Sequence, residues 1–190
     1  MIVNSNLIPV EEIRAKAEPE IKKRKILHFV TVGRVDYQKA YDRLLNILEK
    51  LYDKGYRFEW KIIGGGDDFD RINQRLMNSR VKACVEMLGT LSNPFPFVKE
   101  ADVFALLSNF EGRPNTIYEA FVLGTPVIAT DVGCVSEMVI PGENGWLVDN
   151  DDKAILKMLE HIMDEPNEVE RIKEKISNYE YDNETVMKTT

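Results

Sequence analysis

Short apolar runs rich in β-branched residues alternate with longer segments of helical period along most of this 190-residue chain. This alternation is typical of βα units, in which a helix connects each strand to the next and the strands form a parallel sheet. Most of the runs have no polar face, as expected for strands covered by helices on both sides. The sequence therefore predicts an α/β fold. The predicted strands are Ile26–Val32, Phe58–Ile63, Val81–Leu88, Val103–Leu107, Pro126–Ala129 and Gly145–Val148.

Segments of helical period lie between and after these runs. In the clearest one, from Ala40 to Lys54, apolar side chains recur every three or four residues until Gly55 stops the helix. We expect residues 1–25 to be an interdomain linker, residues 26–180 to be one domain and residues 181–190 to be a flexible tail. The other predicted helices are Asp67–Met77, Thr116–Val122, Lys153–Met163 and Glu168–Ser177.

Composition argues against several classes of function. The chain has 25 basic and 32 acidic side chains, a net charge of −7, so nucleic-acid binding is not expected. Its two cysteines, Cys84 and Cys134, form no C-x-x-C pair, which indicates neither a disulfide framework nor a zinc site and favours a cytoplasmic compartment. No apolar run approaches the ~20 residues that a membrane-spanning helix needs.

The loops after the predicted strands are the places to look for a ligand site, because open α/β sheets bind ligands beyond the carboxyl ends of their strands. The first loop contains Gly33 and Arg34, and Lys39 follows at the start of the next helix. Gly33 permits close approach to the backbone, while an arginine fork and a lysine charge together suit a diphosphate. The alternative is two solvated cations on an ordinary loop, and spacing alone does not decide between them.

A glycine triplet, Gly64 to Gly66, follows the second strand and precedes Asp67 and Asp68. The loop matches neither G-x-G-x-x-G nor the lysine-containing Walker sequence. Two carboxylates at a helix N-terminus also occupy the place that a phosphate would take. We therefore expect the aspartates to cap the helix and assign no phosphate to this loop.

The richest segment runs from Ser108 to Ala120 and combines a strand end, a Gly/Pro loop and a helix start. Thr116 and Glu119 have the spacing of a capping box, which accounts for Glu119 without a ligand. Glu111 has no such local role, so we interpret it as a carboxylate that binds a hydroxyl-rich ligand. We interpret the later loop at Gly133 as punctuation of the fold.

Together these segments resemble the C-terminal, nucleotide-sugar-binding domain of glycosyltransferase family 4, whose enzymes have the GT-B fold of two facing Rossmann-like domains. The resemblance covers roughly residues 26–165. It implies a single Rossmann-like domain with a parallel sheet flanked by helices, one half of a GT-B enzyme. The motifs that carry it are Val32-Gly33-Arg34 with Lys39, Ile62-Ile63-Gly64-Gly65-Gly66, Leu88-Gly89, Ala101-Asp102-Val103, Glu111 and Glu119 in an E-x7-E arrangement, and Gly124-Thr125-Pro126-Val127-Ile128-Ala129-Thr130.

The resemblance implies retaining transfer of a sugar from a nucleoside diphosphate sugar, with no metal or other cofactor. By carry-over, Arg34 and Lys39 bind the diphosphate and stabilise the charge that develops on the departing nucleotide. Glu111 binds hydroxyls of the donor sugar, and Glu119 binds those of the ribose. The other implied contacts are Gly33, Leu91 at the base, and the backbone near Gly112, Pro114, Asn115 and Thr116.

Two departures from the family pattern stand in these motifs, and the second bears on specificity. Ala40 stands where many members have glycine, and Arg113 begins a sequence that replaces the common Phe-Gly after Glu-Gly. We associate the second variant with UDP-sugars and polysaccharide assembly. The N-terminal acceptor domain of such enzymes is missing from this sequence, so we expect this fragment to bind donor without turnover. A membrane-linked acceptor, and peripheral membrane association through the missing domain, stay open.

Three other functions compete with this interpretation. A glycosidase using Glu111 and Glu119 is disfavoured because it needs no neighbouring cations. A noncatalytic nucleotide-binding or regulatory module would be compatible with the same motifs, although retention of Arg34, Lys39 and both glutamates argues against decay. A dinucleotide dehydrogenase is disfavoured because G-x-G-x-x-G is absent after the first strand.

Overall fold

The computed structural model describes residues 9–17 and 26–177. Within these residues six strands form one sheet in the order β3-β2-β1-β4-β5-β6, and every neighbouring pair is parallel. The predicted α/β fold with a parallel sheet is therefore confirmed. The strands are β1 Leu27–Val32, β2 Phe58–Ile63, β3 Val85–Gly89, β4 Val103–Leu106, β5 Val127–Thr130 and β6 Gly145–Val148.

Helices cover both faces of this sheet. Each face has its own hydrophobic core, and successive residues of β1 point to opposite sides, so that Phe29 lies in one core and Val30 in the other. Helices α2, α3, α6 and α7 pack on the first face, and α1, α4 and α5 pack on the second. The helices are α1 Val10–Lys16, α2 Tyr41–Asp53, α3 Phe69–Met77, α4 Phe95–Glu100, α5 Asn115–Val122, α6 Asp152–Asp164 and α7 Pro166–Ser177.

An aromatic pair supports the centre of the sheet. The rings of Phe29 on β1 and Trp60 on β2 stack with centroids 4.7 Å apart. The indole Nε1 of Trp60 donates to Thr31 Oγ1 at 3.0 Å, so the polar atom of this fully buried side chain is paired. Strands with apolar side chains on both faces are thus accommodated as the sequence predicted.

Several predicted elements differ from the structure, and three of the differences have a clear physical reason. The third strand begins at Val85 instead of Val81, because Val81 is buried from within a turn whose carbonyl accepts the Val85 N–H at 3.0 Å. Helix α4 was not predicted, since prolines at 94 and 96 resemble loop punctuation. Helix α2 begins one residue later than expected, because Ala40 adopts a left-handed conformation with φ of 53° and ψ of 40°.

The strand order reverses between β1 and β4. The connection from β1 runs to β2 on one side, and the chain returns to add β4 on the other side of β1. In open α/β sheets the carboxyl edge at such a reversal is the crevice that binds ligands, and the loops after β1 and β4 lie there.

The sequence regions predicted as linker and tail lie mostly or wholly outside the described residues, which exclude 1–8, 18–25 and 178–190. Within the described part of the expected linker, α1 packs on the domain through the buried side chains of Ile13 and Ala17. None of the helices in the described ranges combines the length and apolar character needed to cross a membrane.

Candidate functional site

The loop after β1 is built on close backbone contacts with the glycine triplet. Gly33 N–H donates to the Ile63 carbonyl at 3.0 Å, and Val35 N–H donates to the Gly65 carbonyl at 2.8 Å. At Gly64, where φ is +145°, a Cβ atom would lie 1.9 Å from the Gly33 oxygen. At Gly66 a Cβ atom would lie 2.5 Å from the Val35 oxygen, so a side chain at either of these two glycines would push the loops apart.

The predicted capping by the aspartates after the triplet is wrong in its details. Asp68 occupies the position before α3, yet its side chain makes no capping hydrogen bond to the helix. Its carboxylate instead accepts from Arg71 Nε at 3.1 Å. A nearby cation thus satisfies this carboxylate better than the helix backbone does.

Lys39 ends a short 3₁₀ turn, Tyr37–Lys39, whose first residue follows Asp36. The Asp36 carboxylate accepts the Lys39 backbone N–H at 3.3 Å and so caps the turn. The Lys39 side chain is only 14% exposed, and its Nζ lies 2.5 Å from Oε1 of Glu111. Arg34 differs: its side chain is 71% exposed and its Nε pairs with Asp36 at 2.9 Å. The structure therefore brings Lys39 and Glu111 together, and it leaves Arg34 at the surface.

The Glu111 carboxylate is 5% exposed, and in the part of the chain that the structure describes it is held by three side chains. Besides Lys39, Ser108 Oγ donates to Oε1 at 2.6 Å, and Gln38 Nε2 donates to Oε2 at 3.3 Å. Sequence reasoning found no local partner for Glu111 and missed all three donors. The S-x-x-E spacing from Ser108 was the one available signal, since a hydroxyl three residues away can reach a carboxylate on a tight turn.

Further hydrogen bonds join the loop that carries Lys39 to the loop that carries Glu111. Asn109 N–H donates to the Gln38 carbonyl at 2.8 Å, and Asn109 Nδ2 donates to the Tyr37 carbonyl at 2.8 Å. Gln38 Nε2 also donates to the Phe110 carbonyl at 3.1 Å. The crevice at the strand-order reversal is thus lined by two loops that support each other.

Gly133 supports the Glu111 loop from a third side. Its φ is +60°, and a Cβ atom there would lie 2.0 Å from the Glu111 carbonyl oxygen. The next residue, Cys134, donates its N–H to the Gly112 carbonyl at 3.3 Å. Gly133 therefore does more than punctuate the fold, because its missing side chain lets two loops touch.

The capping box predicted at the start of α5 is also wrong. The helix begins at Asn115 with the buried Pro114 as its N-cap, so Thr116 lies within the first turn. Thr116 Oγ1 is buried without a hydrogen-bond partner in the described part of the chain. One turn later, burial raises the pKa of the Glu119 carboxyl. A buried hydroxyl and a desolvated carboxylate at positions i and i+3 leave polar capacity that a ligand with hydroxyl groups can use.

The other residues named from the sequence lie around this crevice or beyond it. Gly112 and Asn115 are exposed at the turn and at the helix start. Leu91 follows β3, two strands from β1, and is half-buried against the core under α1, α4 and α5. No group of three or more His, Cys, Asp or Glu side chains suited to a metal ion occurs in residues 9–17 and 26–177.

Comparison with known proteins points to one family. Residues 10–179 match the family described as Glycosyl transferases group 1. The amylovoran biosynthesis glycosyltransferase AmsK of Erwinia amylovora is 28% identical over 166 residues, which is 78% of this chain and 41% of that protein. The capsular polysaccharide biosynthesis glycosyltransferase CapM of Staphylococcus aureus is 28% identical over 70% of this chain and 36% of that protein. The chain thus spans about two fifths of the length of these relatives.

Solved structures of glycosyltransferases share the fold. HepE from Anabaena in complex with UDP and glucose superposes with a TM-score of 0.74 at 17% identity, covering 95% of this chain and 50% of that one. A mutant of TarM from S. aureus, in complex with fondaparinux, alpha-GlcNAc-glycerol and UDP, superposes with a TM-score of 0.74 at 19% identity, covering 98% of this chain and 38% of that one. The fold is that of GT-B glycosyltransferases, a Rossmann-like α/β domain with its crevice at the strand-order reversal. With the family match extending over nearly the whole domain, this chain belongs to the group 1 glycosyl transferases.

Proposed function

We propose that this chain is the C-terminal, donor-binding domain of a family 4 glycosyltransferase and binds a nucleoside diphosphate sugar, with a UDP-sugar favoured. The transfer it serves is retaining and metal-independent, and it builds a polysaccharide or glycoconjugate. The single observation that carries the proposal is the pairing of Lys39 with Glu111 across the crevice. This pair holds the two chemical groups that a nucleotide sugar needs, a cation for phosphate and a carboxylate for hydroxyls.

The diphosphate replaces Glu111 as the partner of Lys39. In the ligand-free crevice Glu111 is the anionic partner of Lys39, and an incoming diphosphate offers stronger negative charge to the same ammonium group. Arg34 is exposed beside the same loop, and its weak partner Asp36 leaves it available to the ligand. Two protein cations on the leaving nucleotide favour the transition state over the ground state, which is the task that a metal ion performs in other transferases.

The Glu111 and Glu119 carboxylates accept hydrogen bonds from hydroxyl groups of the donor. Once Lys39 turns to phosphate, Glu111 regains lone pairs that accept hydroxyls of the donor sugar. Glu119 and the unpaired Thr116 hydroxyl suit the ribose, because a diol satisfies both a desolvated carboxylate and a buried hydroxyl. The backbone around Gly112, Pro114 and Asn115 then meets the sugar and the distal phosphate at the positive end of α5.

The acceptor side of the reaction belongs to a longer protein. The relatives AmsK and CapM are more than twice the length of the part matched here, and their names concern the biosynthesis of amylovoran and of capsular polysaccharide. We therefore assign acceptor recognition to an N-terminal domain of the same polypeptide, with a cytoplasmic location and peripheral contact with a membrane-linked acceptor. This chain alone binds donor and does not turn it over.

Thermal stabilisation of the chain by UDP, GDP and ADP, each with and without EDTA, tests the proposal. A ligand that binds only the native state raises the free energy of unfolding by RT ln(1 + [L]/Kd), so millimolar affinity is detectable. We expect UDP to raise the Tm by the same amount with and without EDTA. Lys39→Ala and Arg34→Ala should each remove this rise. Arg57→Ala is the matched control, because Arg57 precedes β2 at the opposite end of the sheet. Stabilisation by none of the nucleotides, or equal loss in the control, would contradict the proposal.

A further inference from the structure

We infer that Ser108 and Thr130 are positioning residues that hold the Glu111 carboxylate in place while Lys39 changes partner. The inference rests on the proposed function and extends it to the sugar selectivity of the same site. Neither residue is among the donor contacts implied by the family resemblance, and neither needs to touch the donor.

The geometry is a chain of two hydrogen bonds that ends on the carboxylate. Thr130 Oγ1, at the last residue of β5, donates to the Ser108 carbonyl at 2.7 Å. Ser108 Oγ in turn donates to Glu111 Oε1 at 2.6 Å. Ser108 and Thr130 are both 0% exposed, so water does not take over either bond if its hydroxyl is removed.

These two hydrogen bonds become important when Lys39 exchanges Glu111 for a diphosphate. Lys39 Nζ and Ser108 Oγ both bind Oε1 of Glu111 in the ligand-free protein. When a diphosphate draws Lys39 away, the remaining donors are Ser108 and the longer contact from Gln38 at 3.3 Å. Ser108 is then the short contact that fixes the orientation of the carboxylate toward the sugar, and Thr130 fixes Ser108 to the sheet.

This arrangement predicts a specific effect on binding. Loss of the Ser108 hydroxyl releases the carboxylate, which weakens the contact with the sugar and leaves the contact between Lys39 and the diphosphate intact. The quantity affected is therefore the ratio of the Kd for UDP to the Kd for a UDP-sugar. A role limited to stability would not change that ratio, because both ligands bind the same folded protein.

The chain offers a matched control for Thr130. Thr125 is 1% exposed and donates its Oγ1 to the Val98 carbonyl at 2.8 Å, so it makes the same kind of buried bond as Thr130. Thr125 precedes β5, at the opposite end of the sheet from the crevice. Thr130→Val and Thr125→Val thus remove equivalent hydroxyls with similar cost in stability, and only the first disturbs Ser108.

The experiment is isothermal titration of the full chain and its variants with UDP, UDP-glucose, UDP-galactose and UDP-N-acetylglucosamine. The UDP-sugar that wild type binds most tightly is used for the ratio. We expect Ser108→Ala to lower the ratio about tenfold and Thr130→Val about threefold, since a hydrogen bond to a charged group is worth more than one to a neutral carbonyl. Thr130→Ser, which keeps the hydroxyl, and Thr125→Val should retain the wild-type ratio.

Other outcomes overturn the inference. An equal loss of affinity for UDP and UDP-sugar, or an unchanged ratio, shows that Ser108 does not act through the sugar contact. If Ser108→Ala fails to fold, the comparison of Thr130→Val with Thr130→Ser decides the question. A wild type that binds UDP without preferring any UDP-sugar overturns the inference and leaves nucleotide binding standing. A wild type that binds no nucleotide overturns the proposed function itself.

Discussion

Glu111→Gln should make the chain bind UDP more tightly while it loses preference for UDP-sugars. In the ligand-free crevice Lys39 Nζ is engaged by Glu111 at 2.5 Å, with the two side chains 14% and 5% exposed. UDP must break that contact before Lys39 reaches its phosphates. The amide of Gln keeps the size of the side chain and removes its charge, so the competitor for Lys39 disappears.

The size of the effect follows from how far the pair is buried. Two charges about 3 Å apart attract by roughly 5 kcal/mol at an effective dielectric constant of 20, but most of this is returned as desolvation cost. A hydrogen bond to a charged group contributes about 1.5–3 kcal/mol net. Because Lys39 reaches solvent once it is released, we take the low end of that range, which corresponds to about a tenfold lower Kd for UDP.

Isothermal titration with UDP and with the preferred UDP-sugar measures both halves of this prediction. Glu86→Gln on the exposed side of β3 is the control, since it changes the net charge equally and lies far from Lys39 in the sheet order. The reasoning is refuted if Glu111→Gln binds UDP as weakly as wild type or more weakly. It is also refuted if Glu86→Gln reproduces the gain, because a general change in charge would then explain it.

Three further substitutions, one of them with Gly124→Ala as its control, test the backbone and the half-buried Glu119 carboxylate. Ala40→Gly should raise the free energy of unfolding by about 0.5–1 kcal/mol in a denaturant titration. Glycine adopts the left-handed conformation at φ of 53° without strain, and this gain exceeds the loss from the added entropy of the unfolded chain. A loss of stability would contradict this. Gly133→Ala should lower the free energy of unfolding by about 2–4 kcal/mol. Gly124 also has a positive φ but open space around an added Cβ atom, so Gly124→Ala should lower the free energy of unfolding by only about 1–2 kcal/mol. Equal losses would show that the clash with Glu111 is relieved without cost. Glu119→Gln should raise the Tm at pH 7 and leave it unchanged at pH 3, as measured by calorimetry. Burial raises the pKa of the Glu119 carboxyl, so its contribution to stability is present below the unfolded pKa and is lost as the pH rises through the folded pKa. An equal shift of the Tm at both pH values would exclude the charge as the cause.

The architecture was largely predictable from the sequence, because buried parallel strands leave a strong apolar signal. The errors in the predicted elements arose where a buried apolar residue does not lie in a strand, or where prolines do not end a helix. Val81 is as buried as any strand residue yet lies in a turn, so its apolar neighbourhood suggested a strand that begins four residues too early. Helix α4 was missed because of its two prolines, which a helix tolerates at its start: Pro94 is the N-cap and Pro96 lies in the first turn.

The candidate site was predictable as a set of residues and not as an arrangement. Lys39 and Glu111 were both singled out from their loops, and the family resemblance then implied their roles, but their contact spans 72 positions and depends on the strand order. The capping box failed for a smaller reason: the N-cap of α5 is Pro114, two residues before the N-cap that the spacing suggested, so Thr116 is a buried, unpaired hydroxyl within the first turn.

The reversal of strand order means that the two ends of the crevice come from different halves of the chain. Lys39 belongs to the half with β1, β2 and β3, and Glu111 belongs to the half with β4, β5 and β6. These halves meet along a seam where β1 pairs with β4 through only two residue pairs, Phe29 with Val103 and Val30 with Phe104. If a donor binds both loops as proposed, it links the two halves across the shortest pairing in the sheet, and its binding should then stabilise the protein against separation of the halves.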